Sequence, residues 1–243
     1  MRKSIAKSMA TSAAAVALAT AACLLLPPRG QEAAAQTPQL YVNAIALDIV
    51  PADLDKFIAL AKDNAAAAVK EPGCREFNIG ASLKDPNHLV FFEVWDSAAA
   101  LDAHRATDHF KAYASATKDM VAKRDIRPMW SVAMNGNSPA QAGLLVNVVD
   151  LDIAPAQFDA FLAAAKVNGA ATPKDPGAHE FNIAVSQKDP HHVMFLEVYD
   201  NAAAVDAHRA TDHYKAYQAA IKDMVAGRNV DQLSSVAMNR QPM

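Results

Sequence analysis

The chain has 243 residues, which is enough for one large domain or for two domains of about 100 residues each. Hydrophobic residues make up 52% and charged residues 20% of the chain, as in an ordinary globular protein that buries a sizeable core. The formal net charge of −3 argues against nucleic acid as a partner, because nucleic acids bind surfaces rich in Lys and Arg.

Residues 1–35 have the pattern of a secretory signal peptide. Basic residues at positions 2, 3 and 7 precede an apolar stretch over residues 10–26, and three alanines at 33–35 offer a cleavage site before Gln36. We therefore expect export to the periplasm or the extracellular space, with no membrane contact after cleavage. An uncleaved membrane anchor and a lipoprotein acylated at Cys23 are the alternatives. Cleavage would leave Cys74 without a second cysteine, so no intramolecular disulfide is expected.

The rest of the chain is a tandem duplication. A shift of 104 residues superimposes the second half on the first, and the eight residues Asp102–His109 reappear unchanged as Asp206–His213. We place domain 1 at residues 36–135, a linker rich in turn-forming residues at 136–143, and domain 2 at residues 144–243.

Each repeat predicts the same order of elements. In the first, a strand covers residues 40–49 and a helix opens at Pro51, where the missing N–H of proline costs nothing. Strands over 76–82 and 88–95 follow, separated by a turn. A short helix runs through His104, a second helix is capped by Thr107 and ends near Arg124, and a last strand covers 131–135. This α+β order is ferredoxin-like, with helices on one face of an antiparallel sheet and a second copy available to cover the other face.

Two glutamates on the apolar faces of predicted strands are candidate catalytic residues. Strand alternation places Glu93 on one face with Phe91 and Trp95, and Glu197 occupies the equivalent position beside Tyr199. A carboxyl buried among aromatic rings is a candidate general acid or base, because burial raises its pKa. The alternative is a structural carboxylate satisfied by a neighbouring His or Arg.

Four asparagines on apolar faces are candidate substrate-binding residues. Asn43 and Asn147 lie on the first strand of each repeat, and Asn64 and Asn168 lie on the apolar stripe of the first helix. An amide in a pocket can orient a carbonyl or an oxyanion. It can equally tie off the end of a strand or a helix.

The histidine pairs His104/His109 and His208/His213 are the strongest feature of the sequence. In one unbroken helix the first two would point about 140° apart, but a break at Thr107 lets them converge. A histidine at a helix start tends to stay neutral, so His109 is a candidate base. We expect Glu93 to hydrogen-bond to His104 or His109, and Glu197 to do so with His208 or His213. Two histidines and one glutamate per repeat are few ligands for zinc, and we expect no metal.

With these residues, the chain resembles the antibiotic biosynthesis monooxygenase (ABM) family. The resemblance is carried by Glu71–Cys74, Phe91–Asp96 and His104–Phe110, and in the second repeat by Asp175–Gly177, Glu197–Asp200 and His208–Tyr214. It implies that the two domains form a dimeric α/β barrel within one chain, an intramolecular pseudo-dimer. It also implies a cofactor-free oxygenase, an isomerase or a heme-degrading enzyme.

Heme is not expected, because His104 stands where the heme-degrading branch has a Trp, and Tyr113 or Ala114 stands where it has the heme-ligating His. Trp95 matches a Trp of the polyketide oxygenase in the family, so Trp95 and Tyr199 join the substrate-binding candidates. The function that the resemblance favours is a cofactor-independent monooxygenase acting on a quinol or another small aromatic compound by acid–base chemistry. A non-catalytic ligand-binding or stress-related envelope protein and an isomerase of the same fold are the alternatives.

Overall fold

The structure is a computed structural model that describes residues 39–241. The predicted signal peptide and its cleavage site lie outside the described residues. Within those residues no helix combines the length and the apolar character needed to cross a membrane.

The two halves have the same order of elements. The first half contains β1 (Tyr41–Ile49), α1 (Leu54–Ala68), β2 (Cys74–Ser82), β3 (His88–Trp95), α2 (Ala98–Ala106), α3 (Asp108–Thr117) and β4 (Val121–Gly136). The second half contains β5 (Leu145–Ile153), α4 (Phe158–Ala171), β6 (Ala178–Ser186), β7 (His192–Tyr199), α5 (Ala202–Ala210), α6 (Asp212–Ile221) and β8 (Val225–Arg240). Short 3-10 turns beginning at Pro51 and Pro155 lead into α1 and α4, as the prolines predict.

The eight strands form one closed antiparallel barrel in the order β1-β3-β2-β8-β5-β7-β6-β4. The two halves meet where β2 pairs with β8 and where β4 pairs with β6. This confirms the α+β fold class and the pair of ferredoxin-like domains that form an α/β barrel within one chain.

The last strand of each half is much longer than predicted. β4 has 16 residues, because its first part pairs with β1 of its own half and its last part crosses to β6 of the other half. The predicted end of the preceding helix, near Arg124, is therefore wrong, since α3 ends at Thr117. A strand that pairs with two partners has no simple alternation of buried and exposed residues, so the full length of β4 could not be recognised from its sequence pattern.

Strand alternation divides the core into an inner and an outer layer. The inner cluster contains Val42, Ala44, Phe92 and Val94 and no helical residue, which places it inside the barrel. The outer clusters join the other face of the strands to the helices, as Phe91 does with Phe57 of α1. The candidate site residues of the strands lie on this outer face, beneath the helices.

Candidate active site

In each half a cavity lies between the outer face of the sheet and the helices. The first cavity has a volume of about 130 Å³ and the second about 190 Å³. A cavity of about 150 Å³ binds benzene, so the second cavity exceeds and the first lies slightly below that volume, and both are near the size of one aromatic ring. The lining of the first cavity includes three phenylalanines, two asparagines, one glutamate and one histidine: Phe77, Phe91, Phe110, Asn43, Asn64, Glu93 and His104. The second is lined by the equivalent residues, with Tyr214 in place of Phe110.

Glu93 is held in the wall of the first cavity by two donors. The register of β1 against β3 sets Asn43 directly opposite Glu93, and Asn43 Nδ2 donates to Glu93 Oε2 over 3.0 Å. Trp95 Nε1 donates to the same oxygen over 3.1 Å. Burial raises the pKa of Glu93 to about 7, although the two hydrogen bonds oppose that shift. The carboxyl group can therefore give or take a proton near neutral pH.

Glu197 repeats this arrangement in the second cavity. Asn147 Nδ2 donates over 3.3 Å and the Tyr199 hydroxyl donates over 3.2 Å, both to Glu197 Oε2. Burial raises the pKa of Glu197 as well. Trp95 and Tyr199 thus act on the cavity through the glutamates, and neither is among the residues that line it.

His104 has one ring nitrogen bound and the other without a partner. Its Nδ1 lies 3.0 Å from Glu71 Oε2, and because a carboxylate only accepts, Nδ1 carries the proton of the neutral ring. Its Nε2 is buried and has no hydrogen-bond partner among the described residues. Burial lowers the pKa of His104, against the opposing effect of Glu71, and so favours the neutral ring. His104 therefore presents an unprotonated nitrogen in the wall of the cavity.

His109 lies behind His104 and is not part of the cavity lining. Its Nε2 contacts Glu71 Oε1, and its Nδ1 lies 3.0 Å from Asn64 Oδ1. His213 repeats this between Asp175 and Asn168. His109 and His213 therefore support the carboxylate that orients His104 or His208.

The predicted hydrogen bond between Glu93 and His104 or His109 is wrong, as is its counterpart at Glu197. The strand register places each glutamate opposite an asparagine, and the glutamate accepts hydrogen bonds from that asparagine and from the aromatic side chain two residues later. The histidines instead bind Glu71 and Asp175. The two groups meet only as separate parts of one cavity wall.

Glu71 and Asp175 were not among the sequence candidates. Each lies in the turn between the first helix and the second strand, and each is followed by Pro-Gly. Gly73 has a φ of +85°, and a Cβ there would lie 2.8 Å from Ala100, so the turn requires glycine. An acid before the same Pro-Gly turn in both repeats was the available signal. Each acid also completes a set of three possible metal ligands, with His104 and His109 or with His208 and His213.

The barrel and its two cavities place the chain among the dimeric α/β barrel proteins, here with both halves in one polypeptide. A family model described as antibiotic biosynthesis monooxygenase matches residues 40–116 and 144–220. These matches cover more than half of the chain, so the chain belongs to the antibiotic biosynthesis monooxygenase family.

Proteins similar to this chain include two curated sequences and one solved structure. An uncharacterized protein of Synechocystis is 32% identical over 77 residues, which cover 32% of this chain and 52% of that protein. The chain thus spans about half the length of that relative. A "probable quinol monooxygenase" of Escherichia coli is 34% identical over 82 residues, covering 30% of this chain and 75% of that protein. The crystal structure of a "putative monooxygenase" from Lactobacillus acidophilus superimposes with a TM-score of 0.78 at 22% identity. It covers 84% of this chain and 97% of that one, and it shows the shared fold.

Proposed function

We propose that the chain is a cofactor-independent monooxygenase that oxidises a single-ring quinol or a related phenol in the cavity of its first half. The observation that carries this proposal is a pair of buried hydrogen-bond acceptors in the wall of the first cavity. Asn43 Oδ1 and His104 Nε2 are both buried and have no partner among the described residues. A buried acceptor without a donor is costly, so the cavity suits a ligand that brings O–H groups.

The walls of the cavity suit the rest of such a ligand. Phe77, Phe91 and Phe110 offer ring faces and edges to an aromatic substrate. Glu93 and His104 then lie beside its hydroxyl groups, with one carboxyl whose pKa is about 7 and one unprotonated ring nitrogen. These are the groups that a proton abstraction near neutral pH requires.

The chemistry balances without another reductant. Removal of a hydroxyl proton gives an electron-rich anion whose ring carbon can form a bond to O₂. Cleavage of the O–O bond then leaves one oxygen atom on the ring and the other in water. A quinol and O₂ thereby give a hydroxyquinone and water, and the substrate supplies all the electrons. The protein binds the ring, takes the proton and limits the access of water to the anion.

Oxygen uptake by the purified, chelator-treated chain with a panel of hydroquinones tests the proposal. We expect uptake above the spontaneous rate and a product heavier than the quinone by one oxygen. The O-methylated analogues should not react, because they have no hydroxyl proton. Replacing both His104 and His208 by Gln should lower the rate by roughly 10²-fold or more, whereas the exposed His191→Gln should leave it unchanged.

Two outcomes would contradict the proposal. Saturable binding of hydroquinones without oxygen uptake would favour the second candidate function, a non-catalytic ligand-binding protein of the cell envelope. The predicted export of the chain is the observation that favours this candidate. Uptake that appears only after flavin or a metal ion is added would contradict the cofactor-independent mechanism.

A further inference from the structure

We infer that each half of the chain binds one divalent transition-metal ion, between Glu71, His104 and His109 in the first half and between Asp175, His208 and His213 in the second. In each set, one ligand atom from every residue lies within 4.8 Å of the other two. The sequence-based expectation of no metal counted Glu93 as the carboxylate, and the structure supplies Glu71 and Asp175 instead.

The distances of the second set fit a metal ion with little movement. Asp175 Oδ2 lies 2.8 Å from His208 Nδ1 and 3.0 Å from His213 Nε2. Ligands that bind a tetrahedral zinc ion at about 2.0–2.1 Å lie about 3.3 Å from one another. These two separations are about 0.3–0.5 Å shorter than that spacing, and the two ring nitrogens lie within 4.8 Å of each other.

The two sets reach the same geometry with different carboxylates. The second half has a 3-10 turn, Thr172–Lys174, that the first half lacks, and this turn directly precedes Asp175. The shorter aspartate thereby contacts the same two ring nitrogens as the longer Glu71. The carboxylate and the two imidazoles therefore converge in both halves, although the acidic residue and the backbone of the turn before it differ.

The surroundings of His109 match those of a metal-binding histidine. Such histidines usually donate the N–H of their other ring nitrogen to an oxygen, which fixes the ring. His109 Nδ1 is held in this way by Asn64 Oδ1, and His213 Nδ1 by Asn168 Oδ1. The other ring nitrogen, Nε2, faces the carboxylate of Glu71 or Asp175, and a cation between ring and carboxylate would be held by both groups.

The ligand types limit the metal to a few ions. Two imidazoles and one carboxylate suit Zn²⁺ or Fe²⁺ better than Mg²⁺ or Ca²⁺, which prefer oxygen ligands. Three protein ligands leave a position for water. The His109 side chain is 32% exposed and that of Glu71 is 17% exposed, so an ion can reach the first set from solvent.

Metal binding has a consequence that rests on the proposed function. An ion on His104 Nδ1 takes the lone pair of that nitrogen, so the ring proton moves to Nε2. That nitrogen can then donate a hydrogen bond but can no longer accept a proton from a substrate. The metal-loaded chain should therefore lose most of the proposed oxygenase activity.

Titration of Zn²⁺ into the chelator-treated full chain, followed by calorimetry, tests the site without any substrate. We expect two ions per chain, one for Glu71→Gln, and none at micromolar concentration for the double variant Glu71→Gln/Asp175→Asn. Asp152→Asn is the matched control, because Asp152 pairs with a histidine outside both sets, and two ions should remain. Bound Co²⁺ should give a visible absorption band that His109→Ala and His213→Ala together remove.

Binding of two ions by the double variant, or no binding tighter than millimolar by the native chain, would overturn the site. Circular dichroism of each variant separates lost ligands from lost fold. Oxygen uptake measured along the same titration then addresses the consequence for activity. Two bound ions with unchanged uptake would support the site and overturn the role of His104 as proton acceptor.

Discussion

At the scale of single residues, the cavities depend on how two kinds of titrating side chain are held. Glu93 and Glu197 each accept two hydrogen bonds at one carboxyl oxygen. His104 and His208 each bind an acidic residue through Nδ1. At His104 one ring nitrogen is thereby fixed, and the other, Nε2, is buried without a partner among the described residues. Hydrogen bonds that fix one end of a side chain reduce the entropy it must lose when a substrate binds.

Burial of the site residues could be predicted from the sequence, but their partners could not. Strand alternation correctly placed Glu93 on the face with Phe91 and Trp95, and both histidines lie at the helix break as expected. The partner of Glu93 depends on the register of β1 against β3, which alternation within one strand cannot supply. Glu71 was missed because a single acid in a turn is ordinarily solvated.

Glu93→Gln should change how stability depends on pH. The folded chain keeps this carboxyl protonated up to a pKa of about 7, whereas the ordinary value is 4.5. The native chain therefore loses stability as the pH rises from about 4.5 to 7, because only the unfolded state releases the proton freely. The variant lacks this loss, so at pH 8 it should be more stable than the native chain by on the order of 2 kcal/mol.

Urea unfolding of the two proteins at pH 4 and pH 8 measures this difference. The exposed Asp119→Asn serves as a control and should follow the native chain at both pH values. A Gln variant that loses stability between the two pH values as much as the native chain does would show that Glu93 is ionised in the folded state.

At the scale of elements, the break between α2 and α3 brings the two histidines together. Thr107 has extended backbone angles (φ −69°, ψ 155°), so α2 ends before it and α3 begins after it. Its Oγ1 accepts from the Phe110 N–H over 3.3 Å and donates to the His104 carbonyl over 2.7 Å. One hydroxyl thus caps the new helix and fixes the last turn of the old one.

The sequence predicted this break but not the long strand that follows it. A capping threonine followed by Asp108 is a local signal, which a single sequence carries. The length of β4 depends instead on two partner strands, one of them in the other half of the chain. Pairing over such distances leaves no local pattern.

Thr107→Val should weaken the corner while keeping its shape. The loss of the capping hydroxyl should destabilise the chain by about 1 kcal/mol, and Thr107→Ser should recover most of that loss. Urea unfolding at constant pH measures both variants. Equal midpoints for the native chain and the Val variant would mean that solvent replaces the hydroxyl and that other contacts hold the corner.

At the scale of the whole molecule, the barrel joins two halves that are no longer identical. Glu76 and Glu180 are buried where the halves meet, and Arg240 Nη2 lies 2.7 Å from Glu76 Oε1. Burial and the neighbouring Glu180 hold the pKa of Glu76 well above its usual range. Arg240 corresponds to Gly136 in the first half, so Glu180 lacks a matching arginine.

The other end of the barrel is asymmetric in charge. A polar cavity of about 250 Å³ is lined there by residues of both halves. Arg127 of the first half lies 2.8 Å from Asp150 of the second, and Ser82 donates to Asp231 over 3.0 Å. The duplication itself and the need to cover each sheet were readable from sequence. The sequence did not predict the Arg127–Asp150 pair, because the repeat does not conserve it. The residues equivalent to Asp150 and Arg127 in the other half are Ala46 and Asp231.

This asymmetry predicts how separated halves should assemble. Fragments covering residues 37–139 and 140–243 each lose the partner of two strands, so neither should persist as a soluble monomer. The equimolar mixture should form the native pair. A pair of second halves should be the weakest assembly, because Asp231 of one copy would face Asp150 of the other in place of Arg127.

Sedimentation of each fragment and of the mixture measures these preferences. Asp231→Arg in the second-half fragment recreates the Arg–Asp pair twice across a symmetric barrel, so it should restore self-association. It should also reduce assembly with the first half, since the introduced arginine would replace the acceptor of Ser82 and lie near Arg127. A stable monomeric half would show that covering the sheet is unnecessary. If the native and the Asp231→Arg second-half fragments self-associated equally tightly, backbone pairing and apolar packing alone would select the partner.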